Sequence, residues 1–133
     1  MVSRPILTLT QADVVAGAAR SYAEACRLAV TICVVDGGGH LMRLDRLDDA
    51  PLVSLRVAQG KARTALELKT PTRLLEQAAA DMPSFIAIAD VYPFRGGIPL
   101  FVEGHCVGAI GVSGASPDED EQTAACGARV LED

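Results

Sequence analysis

The chain has no tryptophan, and Phe, Tyr and Trp together make up only 4% of it. Half of the residues are nonetheless hydrophobic. Any core is therefore aliphatic and alanine-rich, and 133 residues are enough to build one domain around it. Excess positive charge is also missing: the formal net charge is −5. A nucleic-acid partner needs a basic footprint, and an anionic membrane surface needs the same, so both are excluded as expectations. No apolar run approaches the roughly 18 residues of a membrane helix. The start, MVSRPILTLTQ, lacks the charged, apolar and cleavage regions of a signal peptide. The four cysteines, Cys26, Cys33, Cys106 and Cys126, form no Cys-x-x-Cys pair. That spacing argues against structural zinc and for free thiols in a cytoplasmic protein.

Periodicity supplies the elements. Thr10 is the expected N-cap of an amphipathic helix running to about residue 28, with Asp13 three positions on. AVTICVVD reads as a buried strand, the glycines of DGGGH break it, and LMRLDRL completes a hairpin. Asp48 or Asp49 is the expected cap of a second helix through Lys69, with Pro51 in its first turn. A short helix follows the break at Pro71, and PSFIAIADVYPF reads as extended chain entering a loop. Two more strands precede a final helix, where Ser116, Pro117 and Glu119 form a capping box. The acids of that first turn suit the positive end of the helix dipole. The order is α-β-β-α-α-β-β-α, with no forced parallel crossover. It fits an α/β (α+β) domain in which helices pack on an antiparallel sheet.

The stretch FRGGIPLFVEGHCVGAIGVSG holds six glycines. It is not a phosphate loop: the terminal Gly-Lys-Ser/Thr is absent, and the glycine spacing is wrong for a dinucleotide fingerprint. Apolar alternation continues through it instead, with Glu103-Gly104 as a hairpin tip. Gly108 and Gly111 then fall inside a strand, on opposite faces. A strand glycine implies that something approaches the backbone closely: a helix, a neighbouring subunit or a flat ligand.

These motifs carry a family resemblance. Asp-x-x-Gly at 36–39, Lys-Ala-x-Thr-Ala at 61–65, Gly-Gly-Ile-Pro at 96–99 and Gly-Ala-Ile-Gly-Val-Ser-Gly at 108–114 occur in that order, with acids after them. The chain so resembles the GlcG/HbpS family and the C-terminal domain of PduO-type cobalamin adenosyltransferases. The resemblance implies a profilin-like fold spanning the chain as a single domain. It also implies a homo-oligomer and a small-ligand-binding role in or beside a catabolic pathway, with haem the ligand that some members take.

Several residues are candidates for chemistry. Lys61 lies among Val57, Ala58, Thr64 and Ala65 at helical spacing, so it either snorkels or faces a pocket, where it would hold a carboxylate. Arg95 beside Gly96 and Gly97 can present a guanidinium and bare backbone N–H groups to an anion. Asp36 either caps its own turn or acts as a general acid/base. Gly108 and Gly111 would clear a surface for a planar ligand. His40 and His105 sit in or beside turns, with no catalytic or metal-binding spacing. For haem, nothing selects an axial ligand among the histidines, the thiols and Tyr92. The first reading is a ligand-binding module. The alternative is a lyase, hydratase or isomerase acting on a small organic acid, with Lys61 and Asp36 moving protons and Arg95 holding the carboxylate.

Overall fold

The computed structural model describes residues 1–132, apart from the side chains of Ile88 and Ala89. Helix α1 spans Leu9–Ala25. Its cap is Thr8, two residues ahead of the expected Thr10. The Thr8 hydroxyl accepts from the Gln11 backbone N–H at 3.1 Å, and the Gln11 side chain accepts in return from the Thr8 N–H at 3.0 Å. Asp13, expected to close the box, is turned instead to Arg43, 2.7 Å away.

Strands β1 (Thr31–Asp36) and β2 (Leu41–Arg46) form the expected antiparallel hairpin. Helix α2 spans Val53–Leu68 and starts later than expected. Neither Asp48 nor Asp49 caps it: the cap position is Leu52, with no side-chain hydrogen bond. Asp49 is spent in a left-handed turn at φ 67°, and the Pro51 carbonyl takes both the N–H and the hydroxyl of Ser54. A 3-10 turn at Thr72–Leu74 leads into α3 (Leu75–Asp81). The stretch expected to be extended contains a short helix, α4 (Phe85–Ala89), which Asp90 ends in a left-handed conformation. Pro83 and the bond from Phe85 N–H to the Met82 carbonyl set up its first turn. Strands β3 (Gly97–Val102) and β4 (His105–Ser113) meet at Glu103-Gly104, both at positive φ, which is the turn a two-residue hairpin favours. Helix α5 (Pro117–Ala128) has the expected Ser116–Glu119 capping box.

The strand order is β2-β1-β4-β3, antiparallel throughout. Alternation along the strands separates the two faces. Ile32, Val34, Ile110 and Val112 join Val15, Ala19 and Ala124 in the larger core, beneath α1 and α5. Cys33, Val35 and Ala109 face Ala58, Ala62 and Ala65 of α2. The register puts Gly97 opposite Gly111, and Gly111 opposite Cys33, so small residues cross the sheet under α2. A Cβ at Gly111 would lie 2.1 Å from the Ala58 carbonyl oxygen, and one at Gly97 would lie 2.5 Å from that of Lys61. The glycines thus let a helix backbone come down onto the sheet.

Candidate functional site

Lys61 projects from α2 and is 4% exposed. Its ammonium donates to the Val112 carbonyl at 2.9 Å and to Asp120 Oδ2 at 3.1 Å. Asp120, in the first turns of α5, is equally buried, and its other oxygen accepts from the Ala115 N–H at 3.0 Å. Burial pulls the Lys61 ammonium below its ordinary value despite the carboxylate beside it. It likewise pushes the Asp120 carboxyl up, against the lysine charge and two backbone N–H donors. Lys61 therefore neither snorkels nor opens onto a cleft: it is the cation of an internal ion pair. Its partner was hidden among acids that helix electrostatics already explain.

The Arg95-Gly96-Gly97 turn is occupied in the same way. Arg95 meets Asp118 at 2.6 Å and Glu76 at 3.5 Å. The Gly96 N–H donates to Glu121 at 3.3 Å and the Gly97 N–H to the Thr72 hydroxyl at 2.8 Å. Where the sequence suggests a ligand's carboxylate, the structure supplies three of the protein's own. Gly96, at φ 124°, also makes room for the lysine: a Cβ there would lie 3.0 Å from the Lys61 ammonium.

Asp36 and Gly108 lie toward the other end of the sheet. They are cross-strand partners, four residues along β4 from Val112, or roughly 13 Å. Asp36 Oδ1 accepts from the N–H groups of Gly38 (2.9 Å) and His40 (3.0 Å). Partial burial pulls its carboxyl up, but these N–H groups and the His40 ring outweigh that and hold it below its ordinary value. Gly108 faces the side opposite Gly111, where a Cβ would meet the Val35 carbonyl at 2.2 Å and Leu7 at 3.1 Å. Lys61 and Asp36, paired in the enzymatic reading, are thus not brought together.

Asp36 does border a concave surface. One cleft of about 400 Å³ is walled by Pro5, Ile6, Leu7 and Val107, with Arg4, Asp36 and the Gly37-Gly38 turn at its margin. A second, of about 420 Å³, adjoins it and adds Arg63, Leu66, Glu67 and Lys69. The two share Arg4, Gly37, Gly38 and Cys106. Arg4 and Lys69 were not candidates from sequence, and Cys106 stood there only as one of four thiols that nothing selects, because the three residues come from segments that only the fold assembles. His40 and His105 are exposed and line neither cleft. Tyr92 packs its ring over Gly60, beneath Arg63 at 5.7 Å. Among the described residues, no group of three His, Cys, Asp or Glu side chains could hold a metal ion. Nor is any helix there long and apolar enough to cross a membrane.

The molecule is thus an α/β protein whose antiparallel sheet carries one helix tightly against small residues and presents a bare glycine turn to a cleft with apolar walls and charges of both signs at its rim. The chain belongs to the HbpS-like family, whose model, described as haem degrading protein HbpS-like, matches residues 7–129. Protein GlcG of Escherichia coli K12 is 33% identical over 114 residues, 85% of each chain. The corrinoid adenosyltransferase PduO of Citrobacter freundii is 35% identical over 108 residues, which are 77% of this chain and 32% of that protein. Among solved structures, a double mutant of Streptomyces reticuli HbpS superposes with a TM-score of 0.92 at 36% identity, covering 100% of this chain and 92% of that one. The PduOC–haem complex superposes with a TM-score of 0.89 at 27% identity, covering 96% of each.

Proposed function

We propose that this protein binds haem, and that the paired clefts between the N-terminal segment and the Gly37–Gly39 turn are its seat. The observation that carries the reading is the likeness, over 96% of both chains, to a structure solved with haem. The donor chemistry of the clefts fits the group. Pro5, Ile6, Leu7 and Val107 offer apolar contact for a macrocycle. Arg4 and Lys69 stand around the opening, where propionates need cations, while Arg63 there is held by the Asp90 carbonyl and Glu67. Gly37 and Gly38 leave backbone bare for a flat ligand, and Cys106 is the sulfur donor common to both clefts. Bound haem would supply redox and ligand-binding chemistry, and these residues would orient it and shield one face from water. In this reading Lys61, Arg95, Gly96, Gly97 and Gly111 serve the ligand only by holding the fold, while Asp36 shapes the turn.

Hemin titration followed by absorbance is the test. A saturable shift of the Soret band is expected at micromolar protein, weakened by Arg4→Glu and by Lys69→Glu. No saturable change in the wild-type protein would overturn the reading and return attention to a small organic acid as ligand or substrate. We further propose a homo-oligomer. Val14 on α1, and Leu52 and Val53 at the start of α2, are large apolar side chains more than half exposed. Sedimentation at micromolar concentration decides this, and a single monomeric species would refute it.

A further inference from the structure

The two outer strands of the sheet, β2 and β3, differ in how their open edges are guarded. A free edge is a template for another strand unless something blunts it. In β3 Pro99 has no N–H to offer, and the Thr72 hydroxyl takes up the Gly97 N–H at 2.8 Å. In β2 the register slips beside Val34 and leaves Met42 out of the ladder, but Arg43–Arg46 runs on regularly and contains no proline. The Leu47 N–H donates to the Val30 carbonyl at 3.0 Å. Antiparallel pairs alternate, so Asp45 also turns its backbone groups to β1. Leu44 and Arg46 turn theirs outward, where no further strand lies.

The sequence along that edge is complementary to itself. LMRLDRL, residues 41–47, is centred on Leu44, with Arg43 before it and Asp45 after it. Arg43 and Asp45 lie opposite Val34 and Ile32, so both point to the α1 side of the sheet. A second copy related by a two-fold axis perpendicular to the sheet runs antiparallel to the first and keeps the two α1 sides together. An axis at Leu44 sets each Arg43 opposite Asp45 of the other copy. An axis at Arg43 would oppose two arginines, and one at Asp45 two aspartates, both unfavourable. The axis at Leu44 also joins the outward Leu44 groups in a reciprocal pair of N–H···O=C bonds. It brings Leu41, 52% exposed, to the end of the other strand, beyond which Leu52 is 74% and Val53 52% exposed.

We infer that the outer edge of β2 pairs with the same edge of a second copy of this chain, about an axis at Leu44, so that two four-stranded sheets become one continuous sheet. This names a surface for the homo-oligomer proposed above and rests on that reading. Sedimentation tests the association, and hydrogen exchange followed by NMR tests the surface. In wild-type protein the Leu44 and Arg46 amides are expected to exchange as slowly as the Asp45 amide, which bonds to β1 in either case. Arg43→Glu places two like-charge pairs across the axis and should weaken self-association about tenfold, as should Asp45→Lys. An equimolar mixture of the two variants restores unlike charges at both positions and should associate as wild type does. Arg43 also meets Asp13 in its own chain. Should a variant fail to fold, the wild-type exchange, and its acceleration on dilution, decide alone. A purely monomeric protein overturns this inference and the homo-oligomer together. An oligomer whose Leu44 and Arg46 amides exchange at the unprotected rate overturns this inference alone and moves the contact to another surface. Unchanged association of folded Arg43→Glu does the same.

Discussion

The Lys61 ammonium stands 3.1 Å from Asp120 Oδ2, and both side chains are only 5% exposed. Each therefore depends on the other: removing one partner of a buried pair leaves a charge without solvent or counterion. Lys61→Met and Asp120→Leu are each expected to destabilise the protein by about 3–5 kcal/mol. The double variant should recover much of that loss, since two apolar side chains can replace a buried ion pair at little or no net cost. Urea unfolding of the three variants measures the coupling. Strictly additive losses would mean that the pair is not a unit.

Two glycines should respond in opposite ways to alanine. A Cβ at Gly111 meets the Ala58 carbonyl oxygen at 2.1 Å and the Ala62 nitrogen at 2.6 Å, both backbone atoms that cannot move alone. Gly111→Ala should lower the stability by about 1–3 kcal/mol through overpacking. Gly17, in the middle of α1, has nothing within 4 Å of its Cβ position. Gly17→Ala should raise the stability by about 0.5–1 kcal/mol. Thermal melts of the two variants check both directions.

The four thiols are free. Cys33 lies at the sheet under α2, and burial pushes its thiol up to about 12, whereas Cys26 is exposed. A thiol reagent at pH 8 should modify Cys26 quickly and Cys33 only as fast as the protein opens. Denatured, unreduced protein should titrate as four thiols. Rapid native modification of Cys33, identified by peptide mapping, would contradict the packing of α2.

Asp36 has a pH signature. Its carboxyl titrates below its unfolded value of 3.8, so the stability it adds is complete above that pH. That contribution is lost as pH falls through the lower folded value, because the native state must then take up the proton. Asp36→Ala should be destabilised by about 1 kcal/mol near neutrality, from the two lost N–H contacts. The gap from wild type should narrow below pH 3.8. A constant gap across that range would mean that the carboxylate charge has no part in the turn.

Most of the architecture was legible because its signals are local. Ser116 and Glu119 lie three residues apart, and the bends at Gly37–Gly39 and Glu103-Gly104 need backbone conformations that glycine supplies. The cap of α1 was misplaced because Thr8 and Thr10 are both competent caps: Thr8 has Gln11 three residues on to close its box, whereas Asp13 is turned to Arg43. The role of Lys61 was not legible. Val57, Ala58, Thr64 and Ala65 reveal an apolar surround, but its counter-charge lies 59 positions away in a run that already had an explanation. The glycine pattern was half legible: it announced a close approach without saying whether helix, subunit or ligand made it. The clefts were the least visible, since Arg4, Gly37, Lys69 and Cys106 share no motif and meet only once the sheet has formed.

The lysine beside the gap at Gly96 also joins two layers of the fold. Helix α2 lies on one face of the sheet and α5 on the other, so the bond between Lys61 and Asp120 clasps the two layers. Until α5 docks, α2 cannot settle on Cys33, Ala109 and Gly111 without sealing in a lone ammonium. The seat of α2 is thus complete only when β4 and residue 120 are both in place, which ties the two halves of the chain into one cooperative body.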